Sequence, residues 1–365
     1  MNLIFHLWDQ TFGGFISQLA VAEAVAAHTA DSRYVGLIPN LRPDRAPLLG
    51  LYSAKNKTLI SYKAGSDNWV DAFWPEQAAP KLKGLGSLLR SQNLASNSII
   101  LSSNSLEWGV LNCIPPVTGR LPGNIASKAK AKFEAAGIDL SKWCVAIHWR
   151  EPDYHGRSNS PVRTITDPSA YLEACRVIID SGGIVLKLGH GSFRNPFAKG
   201  EFYNLADMGF SVHDQIYAVQ ISRFMVSSDS GPLFLASALD IPLLATNLLF
   251  IDGLWGRRVY GITQSINVIS RLSHHMKNEE AYEEGVATLE VWQKSFKEGL
   301  EVDYRKNTAD ELRDATAVMI SATRVGSNTI WPSERTDFPT RKVKNICLPF
   351  PSRNNPDILK PPKTE

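Results

Sequence analysis

The amino-acid sequence predicts an α/β protein of two domains, each built on a parallel β-sheet. Three observations support this fold class. The chain has 365 residues, which is more than a single hydrophobic core usually organises. Short apolar runs of strand length alternate with helical patterns along most of it. A segment with three prolines and two glycines, "IPPVTGRLPGN" at 114–124, interrupts the alternation and marks a change of domain.

The first domain is predicted over residues 1–135. An apolar strand at 2–8 leads through the loop "TFGG" into a helix, "FISQLAVAEAVAAH", whose apolar spacing is typical of a buried helix. Asp9 ends the strand, and Gly13 and Gly14 belong to the loop. Further strands are predicted at 34–39, 58–62 and 98–103.

The second domain is predicted over residues 141–305. After the strand "WCVAIHW", Asp167 caps a helix that opens with Pro168 and ends at Gly182 and Gly183. The pattern then alternates between strands and helices: "IVLKL" (184–188), "DQIYAVQIS" (214–222), "RFMVSS" (223–228), "PLFLASAL" (232–239) and "IPLLATN" (241–247). Such alternation predicts a parallel sheet with ligands at the carboxyl ends of its strands.

The end of the chain contains one more helix and a tail. "NTADELRDATAVMI" (307–320) has Thr308 and Glu311 at capping-box spacing, and we expect the segment 306–325 to cross back to the first domain. Residues 331–365 hold seven prolines with several lysines and arginines. This composition is typical of an extended surface strap or a disordered end.

Composition excludes several classes of protein. Lys and Arg number 39 against 36 Asp and Glu, a balance that does not indicate nucleic-acid binding. The four cysteines lack zinc-site spacing, which favours reduced thiols in a cytoplasmic protein. The N-terminus has no basic segment typical of a signal peptide, and no apolar run is long enough for a membrane span. We expect a cytoplasmic protein, with the inner membrane surface as a place of peripheral contact through the basic tail.

The loop "SSDSGP" at 227–232 has two interpretations. Its Asp-Ser-Gly-Pro core is similar to the nucleophile loop of trypsin-like proteases, and His28 would supply their histidine. Those enzymes need an all-β double barrel, whereas this loop lies between a strand and a helix. An α/β-hydrolase would need G-x-S-x-G, but Ser228 stands where the first glycine would be. The context therefore favours a binding loop over a nucleophile.

An anion is the ligand that such a loop favours. The backbone and hydroxyl groups of Ser228, Ser230 and Gly231 precede a helix N-terminus, whose amides and dipole attract phosphate. Asp229 would repel phosphate, so we expect it to cap the helix or to accept a hydrogen bond from a sugar or ribose hydroxyl. The alternative is that the loop merely caps its helix.

A second polar cluster is predicted at neighbouring strand ends. His148 and Arg150 end the strand "CVAIHW", and the loop that follows adds Asp153 and Arg163. Lys187 ends the next strand, and Asn247 is a weaker candidate at the end of the strand "IPLLATN". Guanidinium groups bind phosphate in bidentate geometry. The convergence of these strand ends predicts a site for a diphosphate and its sugar.

Residues 143–320 resemble the nucleotide-sugar-binding half of GT-B glycosyltransferases. The resemblance is carried by "VAIHWREPDYHGRS", "VRTITDPSAYLEACRVIIDSGGIVLKLG" and "DQIYAVQISRFMVSSDSGPLFLASALDIPLLATN". It is strongest to a family of bacterial surface-glycan glycosyltransferases with a strand-borne H-x-R motif. Heptosyltransferases carry a related D-T-G-P loop. Fucosyltransferases of the H-x-R-R type are more distant, because Glu151 stands where their second arginine would be.

The resemblance implies two Rossmann-like domains facing a cleft and transfer of a sugar from a nucleotide-sugar donor to a glycan or other surface-polysaccharide acceptor. The absence of D-x-D from the sequence argues against the metal-dependent GT-A class, so neither a metal nor another cofactor is expected. A general base from the first domain would serve an inverting reaction. Asp9 is the first candidate for this base, with Asp153 and Glu107 behind it. Arg150 and the other donor-side residues would stabilise the leaving diphosphate.

Two further interpretations stay open at this point. An epimerase or hydrolase on the same scaffold would consume a nucleotide sugar without an acceptor. A binding module would hold the nucleotide or glycan and leave it unchanged.

Overall fold

The computed structural model describes residues 2–7, 11–29, 33–52, 57–62, 98–101, 117–152, 164–191, 193–248, 259–263, 265–269 and 301–324. The chain divides into two compact units, the first running to Gly119 and the second beginning at Arg120. Within the described residues, no helix combines the length and apolar character needed to cross a membrane. The predicted tail at 331–365 lies outside the described residues.

The first unit contains a four-stranded parallel sheet and the helix α1. Its elements are β1 (Asn2–His6), α1 (Phe12–His28), β2 (Arg33–Pro39), β3 (Lys57–Tyr62) and β4 (Ser98–Leu101), with a 3₁₀ helix at Ala46–Leu51. The strand order is β3-β2-β1-β4. Strands β2 and β3 are therefore added on one side of β1, and β4 pairs with the other side of β1. The four strands lie within a few residues of their predicted positions.

Helix α1 begins earlier than predicted. Thr11 is its N-cap and accepts a hydrogen bond from the Gly14 N–H at 3.3 Å. Gly13 and Gly14 are therefore buried in the first turn of the helix, which corrects their placement in a loop. Threonine is a strong N-cap residue because its hydroxyl satisfies an amide of the first turn, and here this outweighs the low helix propensity of glycine.

The second unit is built on a six-stranded parallel sheet. Its strands are β5 (Cys144–His148), β6 (Ile184–Lys187), β7 (Phe202–Asn204), β8 (Phe224–Ser228), β9 (Leu243–Leu248) and β10 (Val259–Thr263), in the order β10-β9-β8-β5-β6-β7. A separate antiparallel pair joins β11 (Ser265–Ile269) to β12 (Glu301–Arg305). Strands β7 and β10 and this pair were not predicted from the sequence.

Five helices accompany this sheet in the part of the second unit that the structure describes. They are α2 (Gly123–Ala135), α3 (Ser169–Asp180), α4 (Val212–Ile221), α5 (Leu233–Ala238) and α6 (Ala309–Ala322). Helix α3 begins one residue after Pro168, and the Asp167 carboxylate accepts the Ser169 N–H at 2.9 Å. Helix α4 opens with a capping box between Ser211 and Asp214.

Helix α2 belongs to the second unit, although the predicted first domain extends to residue 135. The Phe133 ring packs edge-on against Phe210 and Tyr217, and the Lys132 ammonium donates to the Asp214 carboxylate at 2.8 Å. These contacts attach α2 to α4 and to the turn before it. The change of unit therefore comes inside the proline-rich segment at 114–124 and not after it.

Helix α6 completes the core of the second unit. The predicted capping box between Thr308 and Glu311 is present, and Leu312, Ala315 and Met319 lie in the same buried cluster as residues of α3. The Arg223 guanidinium donates to the Ile320 and Thr323 carbonyls at 2.5 and 3.2 Å and so binds the last turn of α6. The crossing of this segment to the first domain stays a prediction.

Candidate anion-binding site

The second sheet has a topological switch point between β5 and β8. From β5 the chain adds β6 and β7 on one side, and β8 then pairs with the other side of β5. Ligands of open parallel sheets bind outside the carboxyl ends of the strands at such a point. His148 is the register partner of Ser227, so the residues after β5 and the loop 227–232 meet at this edge.

Three serine hydroxyls bind this loop to itself and to the end of β5. The Ser228 hydroxyl accepts the Arg150 N–H at 2.8 Å. The Ser230 hydroxyl lies 2.9 Å from His148 Nδ1 and 3.1 Å from the Ser228 carbonyl oxygen. The Ser227 hydroxyl donates to the same carbonyl at 3.0 Å. Because a hydroxyl has a single proton, Ser230 donates either to His148 Nδ1 or to the Ser228 carbonyl, and the tautomer of His148 decides which.

His148 is a neutral hydrogen-bonding partner of Ser230 in this arrangement. Burial lowers its pKa to about 3, opposed by the Glu151 carboxylate and assisted by the charges of Lys187, His190 and Arg150. In either tautomer, a neutral imidazole can share a hydrogen bond with Ser230 through Nδ1 without bringing a charge into the core. Its role in the structure is to fix the loop to β5.

This geometry changes the predicted roles of the serines. The side chains of Ser228 and Ser230 are buried and their hydroxyls already have partners within the protein, as buried polar groups generally do. They position the loop, whereas the sequence analysis expected them to contact phosphate directly. Helix α5 has six residues, so its dipole adds less than expected. Arg150 and Gly231 remain partly exposed at the edge.

Lys187 lies beneath the edge and not on it. Its side chain is fully buried, its ammonium is 2.5 Å from Glu151 Oε1, and it lies 4.7 Å from the centre of the Trp149 ring. Burial would raise the pKa of Glu151, but Lys187 and the Gly191 and His190 amides more than offset this and hold it low. Lys187 is thus neutralised inside the protein, which differs from the phosphate contact expected of it.

Glu151 also binds the loop after β6, a role that the sequence did not reveal. Its Oε2 accepts the Gly191 and His190 N–H groups at 2.8 and 3.2 Å. A Cβ on Gly191 would lie 2.8 Å from the Glu151 Cδ, so glycine is needed for this close approach. In the sequence, the glycines of "GHG" directly after the strand β6 were the signal that could have indicated this close approach. Glu151, which stands where the H-x-R-R motif has its second arginine, therefore joins the ends of β5 and β6.

Asn247 is part of a buried polar network at the end of β9. Its side-chain amide donates to the Tyr171 hydroxyl at 2.8 Å, and that hydroxyl lies 2.7 Å from Thr246 Oγ1. Burial raises the pKa of Tyr171 to about 12, so the phenol stays protonated. Asn247 is 2% exposed, which differs from its predicted place at the rim of the site.

Of the remaining predicted residues, Asp229 is the one that the structure describes. Asp229 borders the edge with 9% of its surface exposed, and its carboxylate acts electrostatically on Lys306. Asp9, Glu107, Asp153 and Arg163 lie outside the described residues, so their roles stay predictions.

The structure does not support Ser230 as a protease nucleophile. It lies on a loop of a parallel sheet, whereas trypsin-like proteases carry their triad on an all-β double barrel, and its side chain is 3% exposed. His28, the histidine of the protease interpretation, lies on α1 of the first unit and its Nδ1 donates to the Ala24 carbonyl at 2.8 Å. The geometry therefore favours the binding-loop interpretation.

A pH dependence of stability follows from the burial of neutral His148. The unfolded chain takes up a proton near pH 6.5 and the folded chain near pH 3, so the free energy of unfolding should fall as the pH drops through this window. The slope from this residue is up to about 1.4 kcal/mol per pH unit. Urea unfolding between pH 4 and 7 measures it.

His148→Asn should make this slope shallower, because its amide can still share a hydrogen bond with Ser230 but does not titrate. His213→Asn is the matched control, since His213 is partly exposed on α4. Equal slopes for the wild type and His148→Asn would contradict the assignment.

Comparison with known proteins gives structural likeness alone. No protein-family model matches the chain, and no curated protein sequence matches it. Among solved structures, the glycosyl transferase family 9 structure from Veillonella parvula aligns with a TM-score of 0.56 at 10% identity, covering 87% of this chain and 97% of that one. This likeness confirms the predicted α/β fold class with Rossmann-like parallel sheets.

Two Escherichia coli structures align less well. ADP-heptose lps heptosyltransferase II gives a TM-score of 0.47 at 13% identity and covers 80% of this chain and 100% of that one. Heptosyltransferase WaaC with ADP gives 0.44 at 11% identity and covers 72% and 93%.

Proposed function

We propose that this protein is a glycosyltransferase of the GT-B type that moves a sugar from a nucleotide-sugar donor to a glycan or other surface-polysaccharide acceptor. One observation carries the proposal: at the switch point between β5 and β8, a loop fixed by His148 and three serines lies beside the partly exposed Arg150. A fixed loop next to a guanidinium at the carboxyl edge of a parallel sheet suits a phosphate-bearing ligand. The fold shared with a family 9 glycosyltransferase supports it.

The chemistry needs stabilisation of a leaving nucleoside diphosphate. Arg150 is proposed to bind the diphosphate and to neutralise the charge that develops as the glycosidic bond to it breaks. The Gly231 amide and, if it reaches the same edge, Arg163 would add donors. His148, Ser228 and Ser230 serve by holding this edge in place, and Lys187 serves through Glu151.

The acceptor side is proposed from the sequence. An inverting transfer needs a base that takes the acceptor proton, and Asp9 is the first candidate, followed by Asp153. Gly13 and Gly14, now buried in the first turn of α1, would shape the start of the helix beside which the acceptor is proposed to bind. Independence of metals and contact with the membrane surface are likewise proposals.

Binding of a nucleotide sugar is the first test. We expect one of the UDP, GDP, CMP, ADP or dTDP sugars to raise the melting temperature, because a ligand that binds the folded state alone stabilises it by about 2.7 kcal/mol at 100 times Kd. That corresponds to roughly 5–10 °C for a domain of 150–250 residues. Differential scanning fluorimetry measures it, with inorganic phosphate as the control ligand. If no nucleotide sugar exceeds the phosphate control, the proposal is wrong.

Product analysis with the binding sugar separates the alternatives. A transferase releases the nucleotide when an acceptor glycan is present. An epimerase or hydrolase converts the donor without an acceptor, and a binding module leaves it unchanged.

A further inference from the structure

Lys306 lies at the carboxyl edge of the second sheet, directly before two fixed residues. The next residue, Asn307, exchanges two hydrogen bonds with Asn247: the Asn247 N–H donates to Asn307 Oδ1 at 2.5 Å, and the Asn307 N–H donates to Asn247 Oδ1 at 2.7 Å. Thr308 then caps α6. Asn247 has a φ of 50°, a left-handed conformation that asparagine tolerates better than most residues. The backbone of Lys306 is therefore attached to the end of β9.

The end of β9 is next to the loop that carries Asp229. Strand β9 pairs with β8, and Thr246 is the register partner of Ser228. Asn247 and Asp229 each follow one of these partners, so Lys306 comes to the same edge as Asp229. The electrostatic effect of the Asp229 carboxylate on Lys306 agrees with this placement. It also gives Asp229, an acid in an anion-binding loop, a local function.

The surroundings of Lys306 differ from those of Lys187. Lys187 is fully buried and its charge is neutralised by Glu151. Lys306 is partly exposed; partial burial lowers its pKa to about 8, while Asp229 opposes that effect. At pH 7 it is mostly protonated. A partly desolvated ammonium loses less hydration on meeting an anion than a fully exposed one does.

We propose that Lys306 binds the diphosphate of the nucleotide-sugar donor and stabilises the leaving nucleoside diphosphate, with Asp229 orienting its ammonium. This inference rests on the proposed function. In the transfer, the bond from the anomeric carbon to the diphosphate oxygen breaks with its electron pair going to that oxygen. The acceptor oxygen forms the new bond and gives its proton to the general base. Lys306 pairs with the negative charge that the diphosphate gains.

The test measures nucleoside diphosphate binding by titration calorimetry, with UDP, GDP, ADP and dTDP as probes. For whichever probe the wild type binds, Lys306→Ala should bind about tenfold to a hundredfold more weakly, as expected for loss of a charge-assisted contact. Lys306→Arg should retain most of the affinity. Lys130→Ala is the matched control, because Lys130 is an exposed lysine of α2 in the same unit and its loss should leave binding unchanged.

A pH series gives a readout that a purely structural lysine would not change. Between pH 7 and 9 the phosphate groups of the probes stay almost fully ionised, so wild-type affinity should fall as Lys306 loses its proton above pH 8. The affinity of Lys306→Arg for the probe should stay constant with pH, because arginine does not deprotonate in this range. Among the described charged residues, Asp229 is the one that acts on the Lys306 pKa.

The outcomes separate the two proposals. If the wild type binds one of the probes but Lys306→Ala binds it equally well, or if the pH profiles of wild type and Lys306→Arg coincide, the assignment of Lys306 is overturned and the proposed function stands. If the wild type binds none of the four nucleoside diphosphates, the assignment of Lys306 fails, whereas the proposed function is decided by the nucleotide-sugar screen, which includes CMP sugars without a diphosphate.

Discussion

Glu151→Ala is expected to lower the free energy of unfolding of the second unit by about 3–5 kcal/mol. This is the usual loss when one partner of a buried ion pair is removed and the other is left buried. The substitution would leave the fully buried Lys187 ammonium without its carboxylate. It would also remove the acceptor of the Gly191 and His190 N–H groups. Urea unfolding followed by circular dichroism measures the change.

Two variants make this prediction specific. Glu173→Ala removes a partly exposed carboxylate that pairs with the exposed Arg176 on the surface of α3, and surface pairs contribute little, so its effect should stay within about 1 kcal/mol. Glu151→Gln combined with Lys187→Met removes both charges and keeps an acceptor for the loop amides. This double variant should recover much of the free energy of unfolding that Glu151→Ala loses, since replacing a buried ion pair by uncharged side chains often leaves stability unchanged. Equal losses in Glu151→Ala and Glu173→Ala would contradict the assignment.

Arg150→Ala is expected to reduce the rate of sugar transfer by about 10²–10³, the typical effect of removing one group that stabilises developing charge. The structural role of Arg150 runs through its backbone N–H, which donates to Ser228, and alanine retains that group. The loss should therefore come from the side chain and not from collapse of the loop. Steady-state release of nucleoside diphosphate in the presence of acceptor measures it.

Charge and geometry can be separated at the same position. Arg150→Lys keeps a positive charge but loses the planar fork that binds phosphate bidentately, so its rate should lie between those of the wild type and Arg150→Ala. Arg313→Ala is the control, because Arg313 is an exposed arginine of α6 that pairs with surface acids. Full turnover by Arg150→Ala would remove Arg150 from the catalytic machinery.

Most of the fold could be predicted from local pattern. The strands β1 to β6, β8 and β9 coincide with apolar runs of strand length, and the capping residues Thr308 and Glu311 marked the start of α6. The elements that were missed have weaker signals: β7 has three residues, and α2 is polar over most of its surface. Its assignment to the second unit depends on contacts of Lys132 and Phe133 with residues about 80 positions away, which no local pattern encodes.

The candidate site could likewise be predicted only in part. Residue type and position at strand ends indicated that His148, Arg150 and the loop 227–232 would meet, because parallel strands present their carboxyl ends at one edge. The sequence could not tell which polar groups the protein itself would use. Ser228, Ser230, Lys187 and Asn247 were all expected to face a ligand, yet each has protein partners in the folded chain.

The sequence by itself determined the α/β class, the alternation of strands and helices, and the edge where chemistry would gather, because periodicity and capping act over a few residues. The tertiary structure decided which of these side chains are buried and which are partly exposed there. Burial makes a polar group find a partner, and the partners come from distant segments: Glu151 for Lys187, His148 for Ser230 and Asn307 for Asn247. The same packing leaves Arg150 and Lys306 partly exposed, and on them the proposed chemistry depends.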